Sequence, residues 1–298
     1  PRFAEFVDRN DLPCDFVSKH AYTSGPGQEV PFGSYQTFRD PRDLLTQFAT
    51  PRALLAGTRL AEVPVHITEF STSYRPDNPI HDTAHQAAAL APVLVDGGEN
   101  VASFSYWVLC DVFEELGIPN AVLHGGFGLL GHRQLRKPVF HLYAFMARLG
   151  PEIIARGEDH VATRRADGSI AVLAWQPVGG AAAESSSHTL NLDLVGFAGR
   201  VCVVERHVDD ERGNVRTAWQ AMGAPPAPTS RQLDDLHALS MPSVRSRAVV
   251  TSEGRADLAI HLGHHGIALV EIAAAPDETP PWLDDSRMFG DSPQEGES

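Results

Sequence analysis

The residues of this chain best able to do chemistry lie in two stretches. The first, Pro64-Val-His-Ile-Thr-Glu-Phe-Ser-Thr-Ser-Tyr74, opens with Val65 and Ile67 alternating with polar residues, the pattern of a short, mostly buried strand. It delivers a carboxylate, Glu69, at the point where the chain turns polar. Such a group can attack an electrophile or carry a proton, although an isolated strand-end Glu is most often half of a surface ion pair. The second stretch, Ser105-Tyr-Trp-Val-Leu-Cys-Asp-Val-Phe-Glu-Glu-Leu-Gly117, also runs from an apolar strand into carboxylates and aromatics. His124-Gly-Gly-Phe-Gly-Leu-Leu130 follows it. An indole can offer a flat apolar face to a sugar ring, and carboxylates can accept hydrogen bonds from vicinal hydroxyls. Together the two stretches have the make-up of a carbohydrate site.

The elements that must position these groups alternate. Phe3, Phe6 and Val7 have helical spacing, with Asn10-Asp11 as a stop. Cys14 to Ser18 reads as a strand, which would leave His20 and Tyr22 just past its end. Asp40-Pro41 and Thr50-Pro51 are two helix-start signals. Asp82 is expected to begin an alanine-rich helix that stops at Gly97-Gly98. Val101 to Trp107 reads as a strand, and Arg136 to Leu149 as a helix closed by Gly150 and Pro151. Strand and helix thus alternate three times, the pattern of parallel β/α units whose chemistry gathers at strand C-termini.

From about residue 157 the character changes. Val161–Arg165 and Ser169–Trp175 flank Ala166-Asp-Gly168, a hairpin signal, and Leu190, Leu192 and Leu194 alternate with polar residues, as do Leu258, Ile260 and Leu262. These are short antiparallel strands, and a β-sandwich is expected. Residues 179–187 and 224–230 read as loops, and the Pro-, Asp- and Ser-rich C-terminus as a tail. His261, His264 and His265 carry no neighbouring carboxylate or cysteine at ligand spacing and read as solvated turn histidines, so no metal is expected.

Composition narrows the partners. The 298 residues carry a formal charge of −14 at pH 7, which argues against nucleic acid or an anionic membrane and for a neutral ligand. Cys14, Cys110 and Cys202 are odd in number and far apart, which suggests either a reducing, cytoplasmic setting or simply buried thiols, and no disulfide framework. Lys19 and Lys137 are the only lysines, a scarcity that reads as coding bias.

Taken in order, Asp15-Phe-Val-Ser-Lys-His-Ala-Tyr22, Thr68-Glu69-Phe70 with Ser73-Tyr74, Ser105-Tyr-Trp107, Phe113-Glu-Glu115 and His124-Gly-Gly-Phe-Gly-Leu129 resemble the family 39 glycoside hydrolases, the β-xylosidases more closely than the α-L-iduronidases. The resemblance is close over roughly residues 1–150 and general beyond. It implies an α/β plus all-β fold: the C-terminal part of a (β/α)8 TIM barrel, about strands 6–8, over residues 1–156, then an antiparallel β-sandwich over 157–275 and a tail over 276–298. It implies a retaining, exo-acting hydrolase that releases xylose from β-1,4-xylo-oligosaccharides, using two carboxyls about 5–5.5 Å apart. Glu69 would be the nucleophile, and neighbouring donors should hold its pKa down. His20, Tyr22 and Tyr74 would donate to it or to sugar hydroxyls. Trp107, Glu114, Glu115 and Phe127 would line the sugar pocket. A small oligosaccharide is the implied partner, with no cofactor, and a homo-oligomer is allowed.

The resemblance also marks a gap. The family's general acid/base stands in an Asn-Glu-Pro motif at the end of the fourth strand, and no Asn-Glu pair occurs in these 298 residues. The expectation is that the acid/base lies outside this chain, which would begin inside the fifth helix. Two other readings stay open: an iduronidase-like specificity, which would need a basic pocket, and a non-catalytic sugar-binding remnant.

Overall fold

The computed structural model describes residues 2–31, 33–112, 115–178, 187–280 and 282–283. The chain opens with α1 (Arg2–Arg9), β1 (Val17–Tyr22), the hairpin β2 (Gln28–Val30) and β3 (Gly33–Tyr35), then α2 (Asp43–Leu55) and β4 (Val65–Ser71). It continues through α3 (Ala84–Asp96), β5 (Ser103–Tyr106) and α4 (Pro138–Met146). β1, β4 and β5 form a parallel sheet with β4 in the middle. Helices cross between these strands because parallel neighbours cannot be joined by a tight turn. Ile67 and Phe70 of β4 pack against Leu44 and Phe48 of α2 and Ala87, Ala88 and Leu90 of α3, all nearly inaccessible to solvent. Burying each large apolar side chain stabilises by about 1.5–3 kcal/mol.

Three local expectations are corrected. β1 runs to Tyr22, so His20 and Tyr22 belong to the strand; its pairing with β4 extends it past the point where its own sequence weakens. The two helix starts at Asp40-Pro41 and Thr50-Pro51 give one continuous helix, with Pro51 inside α2. A mid-helix proline frees the carbonyl four residues back, and the Gln47 carbonyl accepts a hydrogen bond from Lys19 Nζ at 3.1 Å instead. Asp82 does not begin the alanine-rich helix. It ends a preceding 3-10 turn, Pro79–Asp82, and Thr83 caps α3.

The second part contains β6 (Glu152–Arg156), β7 (His160–Arg164), β8 (Ile170–Trp175), β9 (His188–Val195), β10 (Arg200–Val208), α5 (Val215–Ala221), α6 (Ser230–Leu239), β11 (Ser243–Val250), β12 (Arg255–Leu262) and β13 (Ile267–Ala274). An antiparallel sheet runs β11-β10-β13-β8-β7-β6, so its edge strand β6 starts a few residues before residue 157. β9 pairs with β12, and this ribbon covers one face of the larger sheet. Side chains alternate by face: Ile170, Val172 and Ala174 meet the ribbon, while Ala171, Leu173 and Trp175 meet the core shared with α3 and α4. The central strand is therefore buried on both sides, which is why it reads as an unbroken apolar run.

Helices α5 and α6 were not foreseen, although Asn214 and the Thr229/Gln232 capping box are legible start signals. Among the described residues no helix is long and apolar enough to cross a membrane. Most of the loop expected at 179–187, and the tail beyond 283, lie outside the described residues.

Candidate active site

The centre of the site is an irregularity in β4. Lys19 of β1 lies opposite Ile67, but the next residue, His20, lies opposite Glu69, so Thr68 is an extra residue. The register with β5 slips over the same residues. A bulge breaks the in-out alternation and re-aims a side chain. Here Ile67 and Phe70 both stay in the core, while Glu69, between them, keeps partial access to solvent.

Glu69 accepts a hydrogen bond from the Tyr22 hydroxyl. His20 Nδ1 lies 3.5 Å from its other carboxylate oxygen. The Tyr22 ring meets Tyr74 edge-on, with centroids 6.1 Å apart, and the Tyr74 hydroxyl accepts from the Gly27 amide at 2.9 Å. Burial pushes Glu69 above the usual carboxylate range; His20 opposes that shift and the negative charge of Glu115 adds to it. The expected downward shift is thus corrected, because partial removal from water outweighs what His20 contributes.

Trp107 follows β5, and its backbone amide donates to the Phe70 carbonyl at 3.1 Å, beside the Glu69 end of β4. Its neighbour Val108 pairs with the glycine-rich loop through Phe127 and Leu129. Glu115 is exposed and electrostatically coupled to Glu69. Glu114 lies outside the described residues. Phe127 is only 4% exposed and packs on the buried His81 at 5.0 Å between centroids, so it supports the loop from beneath. A cleft of about 310 Å³ opens on these loops, lined by Asp77, Ile118, Asn120 and His124 among others.

What holds the glycine-rich loop was not read from the sequence. Lys137, fully buried at the entry to α4, places Nζ 2.7 Å from Asp82 and 2.7 Å from Asp111, and donates to the Gly126 carbonyl at 2.7 Å. The same carboxylates accept from the Gly125 and Gly128 amides at 2.8 and 2.6 Å. The loop is wrapped so closely that a Cβ on Gly126 would sit 2.5 Å from the Asp111 carboxylate, and one on Gly128 2.5 Å from a backbone carbonyl. Burial alone would lower the Lys137 pKa, but Asp82 and Asp111 hold it above its ordinary value. The missed signal was the scarcity of lysine: both lysines hold backbone carbonyls, one in α2 and one in this loop.

The structure also revises the histidines. His264 and His265 stand in the β12–β13 turn, but Asp210, 54 residues away from His264, reaches both of them. His261 lies in β12, 3.0 Å from Thr189 Oγ1.

The sequence matches the profile of Glycosyl hydrolases family 39 over residues 1–257. It is 38% identical over 291 residues to a β-xylosidase of Geobacillus stearothermophilus, covering 96% of this chain and 57% of that protein. It is 26% identical over 246 residues to a β-xylosidase of Caldicellulosiruptor saccharolyticus, covering 79% and 49% respectively. The chain thus spans about half the length of these relatives. Among solved structures, a monomeric β-xylosidase from Caulobacter crescentus CB15 superposes with a TM-score of 0.78 at 27% identity, over 93% of this chain and 59% of that one. The family 39 enzyme from Xanthomonas axonopodis pv. citri superposes at 0.81 with 24% identity, over 92% and 58%, a likeness of fold alone. The architecture is that of a β/α barrel with a β-sandwich. The chain belongs to glycosyl hydrolase family 39.

Proposed function

We propose that this chain carries the nucleophile half of a retaining β-xylosidase acting on the non-reducing end of short xylo-oligosaccharides. The observation that carries the reading is Glu69 itself, a bulge-presented carboxylate at the end of the central parallel strand, held by Tyr22 and facing His20. In double displacement Glu69 attacks the anomeric carbon and the leaving oxygen takes a proton from a second carboxyl; that carboxyl then activates water, which releases the sugar. In this reading His20 and Tyr74 meet sugar hydroxyls, Trp107 stacks on the ring, and Glu114 and Glu115 bind hydroxyls. The β-xylosidase relatives support the substrate class.

β1, β4 and β5 are assigned as strands 6–8 of the barrel. In support, both flanks of the arc are apolar and open. Phe3, Phe6 and Phe16 are each more than half exposed beside β1. A groove of about 470 Å³ lined by Phe104, Leu109, Tyr143 and Met146 runs beside β5. Apolar surface of this extent marks a contact face. The general acid/base is assigned to residues outside this chain, since the family's Asn-Glu-Pro does not occur in it.

Glu69→Gln in the complete protein should abolish turnover of an aryl β-xyloside, and a 2-fluoro-xyloside inactivator should label the peptide containing Glu69. Turnover within tenfold of wild type would overturn the assignment. The 298-residue chain alone should be inactive on xylobiose, because general acid catalysis is typically worth 10²–10⁴-fold. Robust hydrolysis by this chain would place an acid within it, and Glu115→Gln would then be the first variant to measure.

A further inference from the structure

We propose that Asp210, His264 and His265 form a binding site for a divalent transition-metal ion, Zn²⁺ above all, that pins the β12–β13 turn to the loop after β10. The ligand atoms of the three residues all lie within 4.8 Å of one another. His264 Nδ1 is 2.7 Å from Asp210 Oδ2, and His265 Nδ1 is 3.1 and 3.2 Å from the two carboxylate oxygens. Ligands on a tetrahedral metal with bonds of about 2.0–2.1 Å lie roughly 3.3 Å apart, so the His265 contacts already match a coordination sphere and the His264 contact, now of hydrogen-bond length, needs to open only slightly. The two imidazoles stack at 3.7 Å between centroids, which brings their Nδ1 atoms to the same carboxylate.

The turn is built to hold that arrangement. His265 has φ 54°, a left-handed conformation uncommon for a residue with a side chain. Its amide donates to Gln176, and its ring meets His85 at the start of α3 edge-on, at 4.9 Å. Gly263 admits no Cβ, which would lie 2.6 Å from Asp209. On the opposite side Asp209 accepts from the Glu211 and Arg212 amides and fixes the loop that carries Asp210.

Charge and room favour a cation. A cavity of about 430 Å³ adjoins the site, lined by Asp209, Asp210, Glu211 and Arg212 as well as His264, so three carboxylates stand against one guanidinium. That guanidinium is already paired with Asp209. Water in the cavity can complete the coordination sphere. Two imidazoles and one carboxylate select borderline ions such as Zn²⁺, Co²⁺ and Ni²⁺ over Mg²⁺ or Ca²⁺, which prefer all-oxygen sites. A second cluster is the internal contrast: His160 and His188 take opposite oxygens of Asp159, each at 2.7 Å, and do not converge on one point.

The test uses the untagged full chain, stripped with chelator and then dialysed against Zn²⁺. Elemental analysis should find one zinc per chain, and Zn²⁺ should raise the melting temperature by roughly 2–4 °C. Co²⁺ in place of Zn²⁺ should give visible ligand-field bands. His264→Gln/His265→Gln should lose zinc, bands and the thermal shift, whereas His160→Gln/His188→Gln should keep all three. If the double variant fails to fold, Asp210→Asn, which preserves side-chain shape, should lose the Co²⁺ bands in folded protein. No retained zinc in the wild type, or equal retention after removal of the two turn histidines, overturns the proposal.

Discussion

Two glutamates, one in each part of the molecule, show opposite uses of the same side chain. Glu205, on β10 of the sandwich, is fully buried, yet it accepts from His207 at 3.0 Å, from Arg245 at 2.6 Å and from Arg247 at 3.2 Å. Burial would raise its pKa, but these donors bring it down to about 2. Glu69 is more open but has one hydroxyl donor and one imidazole, and burial pushes it up. What separates them is the number of cationic donors: a carboxylate surrounded by arginines is spent on structure, and one with few partners keeps basicity and access for a reaction. Lys137 with Asp82 and Asp111 belongs with Glu205 in this respect, although it lies beneath the site.

The comparison breaks most visibly at Lys137. Lys137→Met removes the only cation seen to pair Asp82 and Asp111 among the described residues and leaves two buried carboxylates facing each other. Losing one partner of a buried pair typically costs about 3–5 kcal/mol. The expected outcome is a large fall in the denaturation midpoint, together with loss of substrate binding as the 125–128 loop comes free. A loss of unfolding free energy below about 1 kcal/mol, close to the scale of a surface change, would show that the triad is not holding the loop.

Paired substitutions at the two glutamates should differ in sign. Glu205→Gln exchanges a charge for an amide among His207, Arg245 and Arg247 and should cost on the order of 1–3 kcal/mol at neutral pH. The folded pKa of Glu205 is depressed, so its stabilisation is present above the ordinary Glu range and fades as pH falls from about 4.5 towards 2. For Glu69 the folded pKa is raised, so its ionisation costs stability as pH rises from the ordinary Glu range through the raised value, and the full cost is present above it. Glu69→Gln should therefore leave thermal stability at pH 7 unchanged or slightly higher while removing activity. A clear loss of stability in Glu69→Gln would place Glu69 in the same class as Glu205.

How much of this was legible in the sequence follows the range of the interactions. Val65, Ile67 and the turn to polarity at Glu69 are local signals, and they marked the central strand and its carboxylate. Ala166-Asp-Gly168 marked the hairpin of β7 and β8 for the same reason. The end of β1 was misjudged because pairing with β4 extends it, and the bulge at Thr68 exists only between strands. Pro51 read as a boundary because the lysine that relieves it comes from β1. Asp210 was not connected with His264 and His265 because 54 residues and a helix pair separate them. Asp82, Asp111 and Lys137 look like ordinary surface residues until the fold closes over them.

The smallest effect is the sharpest probe of how Glu69 is tuned. Tyr22 donates to the ionised form of Glu69, and a donor to a carboxylate favours the charged state. Tyr22→Phe deletes that donor and keeps the ring that meets Tyr74. The Glu69 pKa should then rise further. On the proposed mechanism attack requires ionised Glu69, so the acid limb of the kcat/KM profile for an aryl β-xyloside should move to higher pH in the complete protein. The alkaline limb belongs to the general acid and should stay where it is. His20→Gln should move the same limb in the same direction but by less, because His20 is 57% exposed and stands 3.5 Å away. If Tyr22→Phe lowers the plateau without moving either limb, the tyrosine acts on the sugar and not on the carboxylate. The Glu69 pKa would then be set by burial and Glu115 pushing it up against His20.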